Sequence, residues 1–291
     1  MTSEYRGRFA PAPSGPLHFG SIISALGSFL QAKSRSGKWL ARIEDIDKPR
    51  NQPGSTENIL HTLEALGLHW DEEVLIQSQR VPVYREILEQ LIECDLVYPC
   101  ICTRSQTKGI PYPRTCRNGI YIKNKKRSLR LRTTPDITGF IDQVKGGFHQ
   151  QLESDAGDFV LRRADGIIAY HLAVVIDDQY QGITEIVRGA DLLDSTPRQI
   201  YLQKLLGYMT PAYCHLPVAT NNKGMKISKQ NHAPGVDRQN AANVLFKALE
   251  FLGQQPDPQL INASVDEIIQ WGIQHWKLST VPGQHSIQVE V

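Results

Sequence analysis

No apolar run in this 291-residue chain approaches the roughly 20 residues that a membrane-spanning helix needs. The N-terminus also lacks a basic stretch followed by an apolar one, the pattern of a secretory signal. A cytoplasmic protein with no membrane partner is therefore expected. Cysteine is scarce and odd in number, five in all, which argues against a disulfide framework in such a compartment. Net charge is only +2, so the total neither demands nor excludes a nucleic-acid partner. Internal repeats and low-complexity tracts are absent. With 41% hydrophobic and 21% charged residues, the chain fits an ordinary soluble globule, one large domain or a core with a small appendage.

The opening reads as strand, loop, helix, strand. Residues 5–10 suit a short strand, and Pro11, Pro13, Gly15 and Pro16 then force a loop. Ile22, Ile23, Leu26, Phe29 and Leu30 recur at helical spacing until Gly37. Lys38–Ile43 reads as a second strand, so the start looks like a parallel nucleotide-binding sheet. Helices are expected at 55–66, 81–94, 196–206, 240–252 and 264–276. Strands are expected at 127–132, 159–163, 167–176 and 216–219. The segment 98–122 has no periodicity and is rich in Cys, Pro, Tyr and Gly, as an insertion held by something other than a core would be.

Two segments far apart carry the chemistry. His18-Phe19-Gly20-Ser21 opens the first helix, where backbone N–H groups point at anions. Gly20 has no Cβ and lets the backbone and an adenine approach closely. His18 can donate to phosphate oxygens as charge develops at the α-phosphorus. Lys226-Ile227-Ser228-Lys229-Gln230 supplies cations that can neutralise a departing pyrophosphate from a closing loop. Taken singly, each reads as an ordinary loop histidine or charged turn.

Together, in this order and behind Arg8-Phe9-Ala10-Pro11-Ala12-Pro13-Ser14-Gly15, they resemble the two signatures of class I aminoacyl-tRNA synthetases, His-Ile-Gly-His and Lys-Met-Ser-Lys-Ser. The opening is similar to the Arg-Phe-Ala-Pro-Ser-Pro-Thr-Gly of the glutamate and glutamine branch. Arg42-Ile43-Glu44-Asp45-Ile46-Asp47, Ile186-Val187-Arg188-Gly189-Ala190-Asp191 and Ser195-Thr196-Pro197-Arg198-Gln199 resemble three further segments of that branch. The roughly 60 residues after the lysine segment hold a few helices where full glutamyl synthetases carry an anticodon-binding domain. The chain thus most resembles the truncated glutamyl-queuosine tRNA(Asp) synthetase branch, whose variants of both signatures match His18–Ser21 and Lys226–Pro234.

The resemblance implies an α/β fold: a Rossmann-like parallel sheet, an inserted zinc-containing acceptor-type subdomain and a short helical C-terminal region. It divides the chain into 1–97 and 161–215 as the two halves of the catalytic domain, 98–160 as the insertion, and 216–291 as the lysine segment and helical end. It implies a ligase that activates glutamate with ATP and magnesium and transfers it to the queuosine base of tRNA(Asp), acting as a monomer. Catalytic roles fall on His18, Gly20, Lys226 and Lys229, and ATP contacts on these with Ser21 and Ser228. Arg188 would pair bidentately with the side-chain carboxylate of glutamate. Arg8 would meet the α-carboxylate or share that work, Glu44 the α-ammonium, and Tyr170 would orient the substrate. A structural Glu44–Arg8 ion pair is the alternative, and Asp45 and Asp47 read as braces at the strand end. Ser21, Ala12 and Gln230 depart from the class pattern, removing a phosphate donor, a substrate hydroxyl and the final serine of the lysine motif. Two other functions stay open: a short glutamyl synthetase charging a tRNA 3′ end, and a catalytically silent RNA-binding paralogue.

Cys100-x-Cys102-x9-Tyr112-x3-Cys116 has the close ligand spacing of a structural zinc site, though free thiols fit the spacing too. No histidine lies between His69 and His149, so the fourth ligand is Tyr112, a water or something distant, and the resemblance favours Tyr112. Cys94 and Cys214 read as small buried hydrophobes. Lys123, Lys125, Lys126, Arg127, Arg130 and Arg132 form a basic patch that suits either RNA or solvent.

Overall fold

The computed structural model describes residues 4–107, 111–119, 125–227 and 235–289. The chain opens as β1 (Arg6–Phe9), α1 (Phe19–Lys33), β2 (Lys38–Ile43), α2 (Ser55–Ala65), β3 (Asp71–Ile76) and α3 (Val81–Glu93). The middle holds β4 (Val97–Cys100), β5 (Ser128–Leu131), β6 (Ile137–Asp142), β7 (Gly146–Gln151), the one-turn α4 (Leu152–Asp155) and β8 (Phe159–Arg162). Then come α5 (Tyr170–Tyr180), β9 (Glu185–Gly189), α6 (Thr196–Leu205), β10 (Ala212–Leu216) and β11 (Val218–Thr220). Helices α7 (Ala241–Phe251) and α8 (Val265–His275) and strand β12 (Ser286–Gln288) finish it.

Strands β1, β2 and β3 pair in parallel. Strand β10 pairs in parallel with β9 and β6, and β7 runs antiparallel to β6. The two sheets meet where the Thr184 N–H donates to the Arg6 carbonyl at 2.9 Å and the Arg6 N–H donates to the Thr184 hydroxyl at 2.9 Å. The chain thus moves outward on one side of β1 through β2 and β3, then returns on the other side through β9 and β10. That reversal opens a crevice at the carboxyl ends of β1 and β9, where open α/β sheets bind ligands.

Helix α1 lies beneath the crevice. Residues Ile22 to Ala32 are buried except Ser24, far more than one amphipathic stripe would give. Gly27 allows the close approach: a Cβ there would sit 2.6 Å from Leu216 Cδ1 on β10. The C-terminal helices pack on α1 from the other side. Phe251 meets Phe19 edge-on at 6.1 Å, and Trp276 Nε1 donates to Gln31 Oε1 at 2.7 Å.

The antiparallel sheet β4–β5–β8 stands apart and carries the cysteine cluster. Within the same 98–160 span, the β6–β7 hairpin joins the edge of the main sheet through β10.

The structure corrects two expected strands. The run 167–176 contains the start of helix α5, not a strand. Leu172 to Asp178 are consecutively buried, so no 3.6-residue alternation shows and the β-branched residues mimic a core strand. The expected strand 216–219 is two strands broken at Pro217, which has no N–H for the ladder. Cys94 is exposed, contrary to expectation, while Cys214 is buried in the main core. Among the described residues, no helix is long and apolar enough to cross a membrane.

Candidate active site

The crevice is a cavity of about 780 Å³. His18, Gly20, Ser21 and Lys226 line it, as do Arg8, Glu44, Tyr170 and Arg188. The expected residues that the structure describes therefore converge on one site, apart from the cysteine cluster. Ser228 and Lys229 lie outside the described residues.

His18 is the N-cap of α1. Its Nδ1 accepts from the Ser21 N–H at 3.2 Å, and the Ser21 hydroxyl accepts from the His18 N–H at 3.4 Å. This reciprocal box satisfies two donors of the first turn, so Ser21 has a structural duty where the class motif has a second histidine. With Nδ1 accepting, the proton of the neutral ring is assigned to Nε2. A Cβ on Gly20 would lie 3.0 Å from the Ile227 carbonyl and 3.2 Å from the His18 ring. Gly20 is thus where the two signature segments touch. Lys226 Nζ pairs with Asp191 at 2.7 Å, in the turn after β9.

Arg8, at the end of β1, binds Asp178 of α5, with Nε at 3.0 Å from Oδ1. Arg42 of β2 binds the same carboxylate at 2.8 Å and donates to Gln181 Oε1 at 2.9 Å. The structural Arg8 ion pair thus exists, but with Asp178 and not Glu44. Glu44 Oε1 lies 3.7 Å from Arg42 Nε, and neither atom has a hydrogen-bond partner among the described residues. Burial pushes the Glu44 carboxyl up to about 7, against the pull of Arg42 and Arg8. Burial raises Asp178 as well, but the two guanidiniums hold its carboxyl below the usual range. Asp45 and Asp47 brace the strand end: Asp45 accepts from the Ser78 N–H at 2.7 Å, and Asp47 pairs with Arg163 at 3.0 Å.

Arg188, near the end of β9, is 5% exposed. Its Nε donates to His215 Nε2 at 3.1 Å, Nη1 to the Tyr170 hydroxyl at 3.3 Å, and Nη2 to the Thr196 hydroxyl at 2.7 Å. Nη2 also donates to the Leu192 carbonyl at 3.5 Å, and all four of these partners are neutral acceptors. No ion pair to a carboxylate within 4.0 Å is found for it among the described residues. A buried cation with only neutral partners keeps its full attraction for an anion entering the cavity. Burial raises the Tyr170 phenol despite the Arg188 charge. Asp178, His215 and Asp142 went unnoticed in the sequence because no local spacing links them to the motifs.

The cysteine cluster lies on β4 and the loops beside it. The three sulfurs of Cys100, Cys102 and Cys116 lie within 4.8 Å of one another. The Tyr112 hydroxyl is 3.2 Å from Cys100 Sγ and 3.7 Å from Cys102 Sγ, and Cys102 Sγ is 3.7 Å from Cys116 Sγ. A tetrahedral ion with bonds of about 2.3 Å to sulfur would separate two sulfurs by about 3.8 Å, so the donor set fits such an ion. Burial raises the Cys100 thiol, but hydrogen bonds from Tyr112, the Cys102 backbone and Arg130 pull it down to about 7. Burial raises Cys102 and Tyr112.

Two members of the expected basic patch have other duties. Arg130 is buried, donates to Cys100 Sγ at 3.3 Å and stacks over the Tyr112 ring at 3.8 Å. Arg132 pairs with Asp95 at 3.2 Å and covers the Tyr98 ring. Lys125, Lys126 and Arg127 are exposed, and Lys123 lies outside the described residues.

Residues 4–252 match the family model for tRNA synthetases class I (E and Q), catalytic domain, and the chain belongs to this family of ligases. It is 49% identical over 297 residues to Glutamyl-Q tRNA(Asp) synthetase of Dechloromonas aromatica, with 99% of each chain covered. It is 50% identical over 282 residues to the protein of that name from Escherichia coli K12, covering 96% of this chain and 91% of that one. A glutamate tRNA ligase of Elizabethkingia meningosepticum, solved in complex with its amino acid, superposes with a TM-score of 0.81 at 25% identity. It covers 98% of this chain and 67% of that one.

Proposed function

We propose that this chain activates glutamate with ATP and transfers the glutamyl group to the queuosine base in the anticodon of tRNA(Asp). The observation that carries the amino acid is Arg188, a buried guanidinium held by neutral acceptors at the cavity wall. The names of the relatives, which align along nearly the whole chain, support the nucleic-acid target.

In this reading Arg188 takes the side-chain carboxylate of glutamate, with Tyr170 beside it. The Arg8 and Arg42 pair, sharing one aspartate, leaves net positive charge for the α-carboxylate. Glu44, whose Oε1 has no hydrogen bond among the described residues, takes the α-ammonium. The α-carboxylate attacks the α-phosphorus of ATP and pyrophosphate leaves. A hydroxyl of the modified base then attacks the glutamyl carbonyl and AMP leaves. No protein nucleophile is needed, so rate comes from positioning and charge stabilisation. His18 Nε2, Gly20 and Ser21 would face the nucleotide from the start of α1, with Lys226, Ser228 and Lys229 on its phosphates. Magnesium would accompany ATP, held mainly by phosphates and water.

Zinc would be held by Cys100, Cys102, Cys116 and Tyr112 and would stabilise the 98–160 insertion between the catalytic halves 1–97 and 161–215, with 216–291 closing the fold. The test is glutamate transfer to tRNA from cells with and without queuosine, after 3′ oxidation under conditions checked to spare the queuosine ring diol. Labelling of tRNA(Asp) confined to the queuosine-containing pool is expected. Labelling independent of queuosine and lost on 3′ oxidation would point to a conventional synthetase. No transfer and no pyrophosphate exchange would point to a silent paralogue.

A further inference from the structure

We infer that His215, held in one tautomer by Asp142, is the positioning residue that aims Arg188 at the amino-acid side chain and leaves its charge unspent. The inference rests on the reading of Arg188 given above. Arg188 Nε–H needs an acceptor, and His215 Nε2 provides it at 3.1 Å. A neutral imidazole can accept at Nε2 only when its proton is on Nδ1. Asp142 Oδ2 lies 2.6 Å from Nδ1 and fixes the proton there.

Asp142 is itself immobilised. Its Oδ1 accepts from the backbone N–H groups of Val144 at 3.0 Å, Lys145 at 2.8 Å and His215 at 3.2 Å. His215 is fully buried and Asp142 is 2% exposed. Burial disfavours the charged imidazole; it raises Asp142 as well, but His215 and the backbone amides of Lys145 and Val144 hold that carboxyl below the ordinary range.

The relay solves a conflict of charge. A carboxylate directly on Arg188 would orient it equally well but would neutralise it. The imidazole offers an uncharged acceptor and keeps the carboxylate one residue further from the cavity. Strand β6, which lies between β7 and β10, serves this arrangement: its one register pair with β10 is Asp142 opposite Tyr213.

The test is pyrophosphate exchange with the full chain, varying glutamate and ATP in turn. In Asp142→Asn the amide can donate to Nδ1, which moves the ring proton to Nε2 and sets two donors against each other. In His215→Leu the acceptor is gone. Both should raise the glutamate KM by about 10- to 100-fold, the worth of one hydrogen bond to a charged group. The ATP KM and the maximal rate should stay within about threefold, since the relay touches neither. His215→Gln, which can place an oxygen near the Nε2 position, should recover most of the glutamate affinity. The preference for glutamate over glutamine should fall in Asp142→Asn. Unchanged glutamate KM in Asp142→Asn and His215→Leu, with Arg188→Ala strongly impaired, would overturn the positioning role alone. Parallel losses for ATP and glutamate with no rescue by glutamine would reduce the relay to a structural brace and also overturn it. An unimpaired Arg188→Ala would remove the glutamate reading and this inference with it.

Discussion

Glutamate binding should release a proton, and the release should come from Glu44. Burial lifts this carboxyl from an ordinary 4.5 to about 7 in the free protein, a difference worth about 3 kcal/mol. An ammonium group seated beside Glu44 favours the ionised form and draws that value down. The sign follows: affinity is full above pH 7 and is lost as the pH falls through it, because the proton must leave before the ammonium can pair. If only the ionised form binds, the apparent Kd is multiplied by about 2 at pH 7 and about 11 at pH 6. Net release should be about 0.9 protons at pH 6, 0.5 at pH 7 and 0.1 at pH 8. Calorimetric titration of glutamate in buffers of different ionisation enthalpy counts these protons directly, without ATP, whose own phosphate titrates nearby. Cys100 also lies at about 7, but it sits in the cysteine cluster and does not line the cavity. Glu44→Gln should flatten the pH dependence and abolish the release. A flat Kd and no release between pH 6 and 8 in the native protein would refute the placement of the ammonium at Glu44.

Two further outcomes follow from named contacts. Asp178→Asn leaves the buried Arg8 and Arg42 without their shared carboxylate, so denaturant unfolding should show a loss of about 3–5 kcal/mol; a change within experimental error would mean that the two guanidiniums find other partners. Gly157 has φ +69°, and a Cβ there would lie 2.4 Å from the Tyr112 backbone N, so Gly157→Ala should displace Tyr112 and lower the zinc content of purified protein; full metal occupancy would show that Tyr112 is not needed to hold the ion.

The parts of this fold that were legible in the sequence are those with local signals. Helix α1 has apolar residues at helical spacing and a glycine beyond its end, and the opening loop has its prolines. The signature segments were readable because each keeps its chemistry within a few residues. What stayed hidden depends on pairing across the chain. Asp178 is 170 residues from Arg8, and Asp142 is 73 from His215. An aspartate at the end of an apolar run looks like an element's end, and a lone histidine in a strand looks like a core residue. Helix α5 was hidden for a related reason. It is buried on nearly all sides, so the alternation that marks a surface helix is missing, and only the fold shows that its Asp177 and Asp178 face arginines.

Arg8 and Arg188 show why residue type alone did not assign the site. Both are buried guanidiniums at neighbouring strand ends, yet their partners differ. Arg8 shares Asp178 with Arg42, so two positive charges stand against one negative and leave a single net charge at that end. Arg188 has neutral partners and keeps a whole charge at the other. Glu44 adds one acidic group whose ionisation waits on a cation. In the proposed reading, these three charges among those lining the cavity would meet the two carboxylates and one ammonium of glutamate. Glutamine would leave the Arg188 charge unmet, and an unmet buried charge costs far more than a lost neutral hydrogen bond. In the proposed reading, selectivity for the acid over its amide would follow from the neutrality of the groups that hold Arg188, as much as from Arg188 itself.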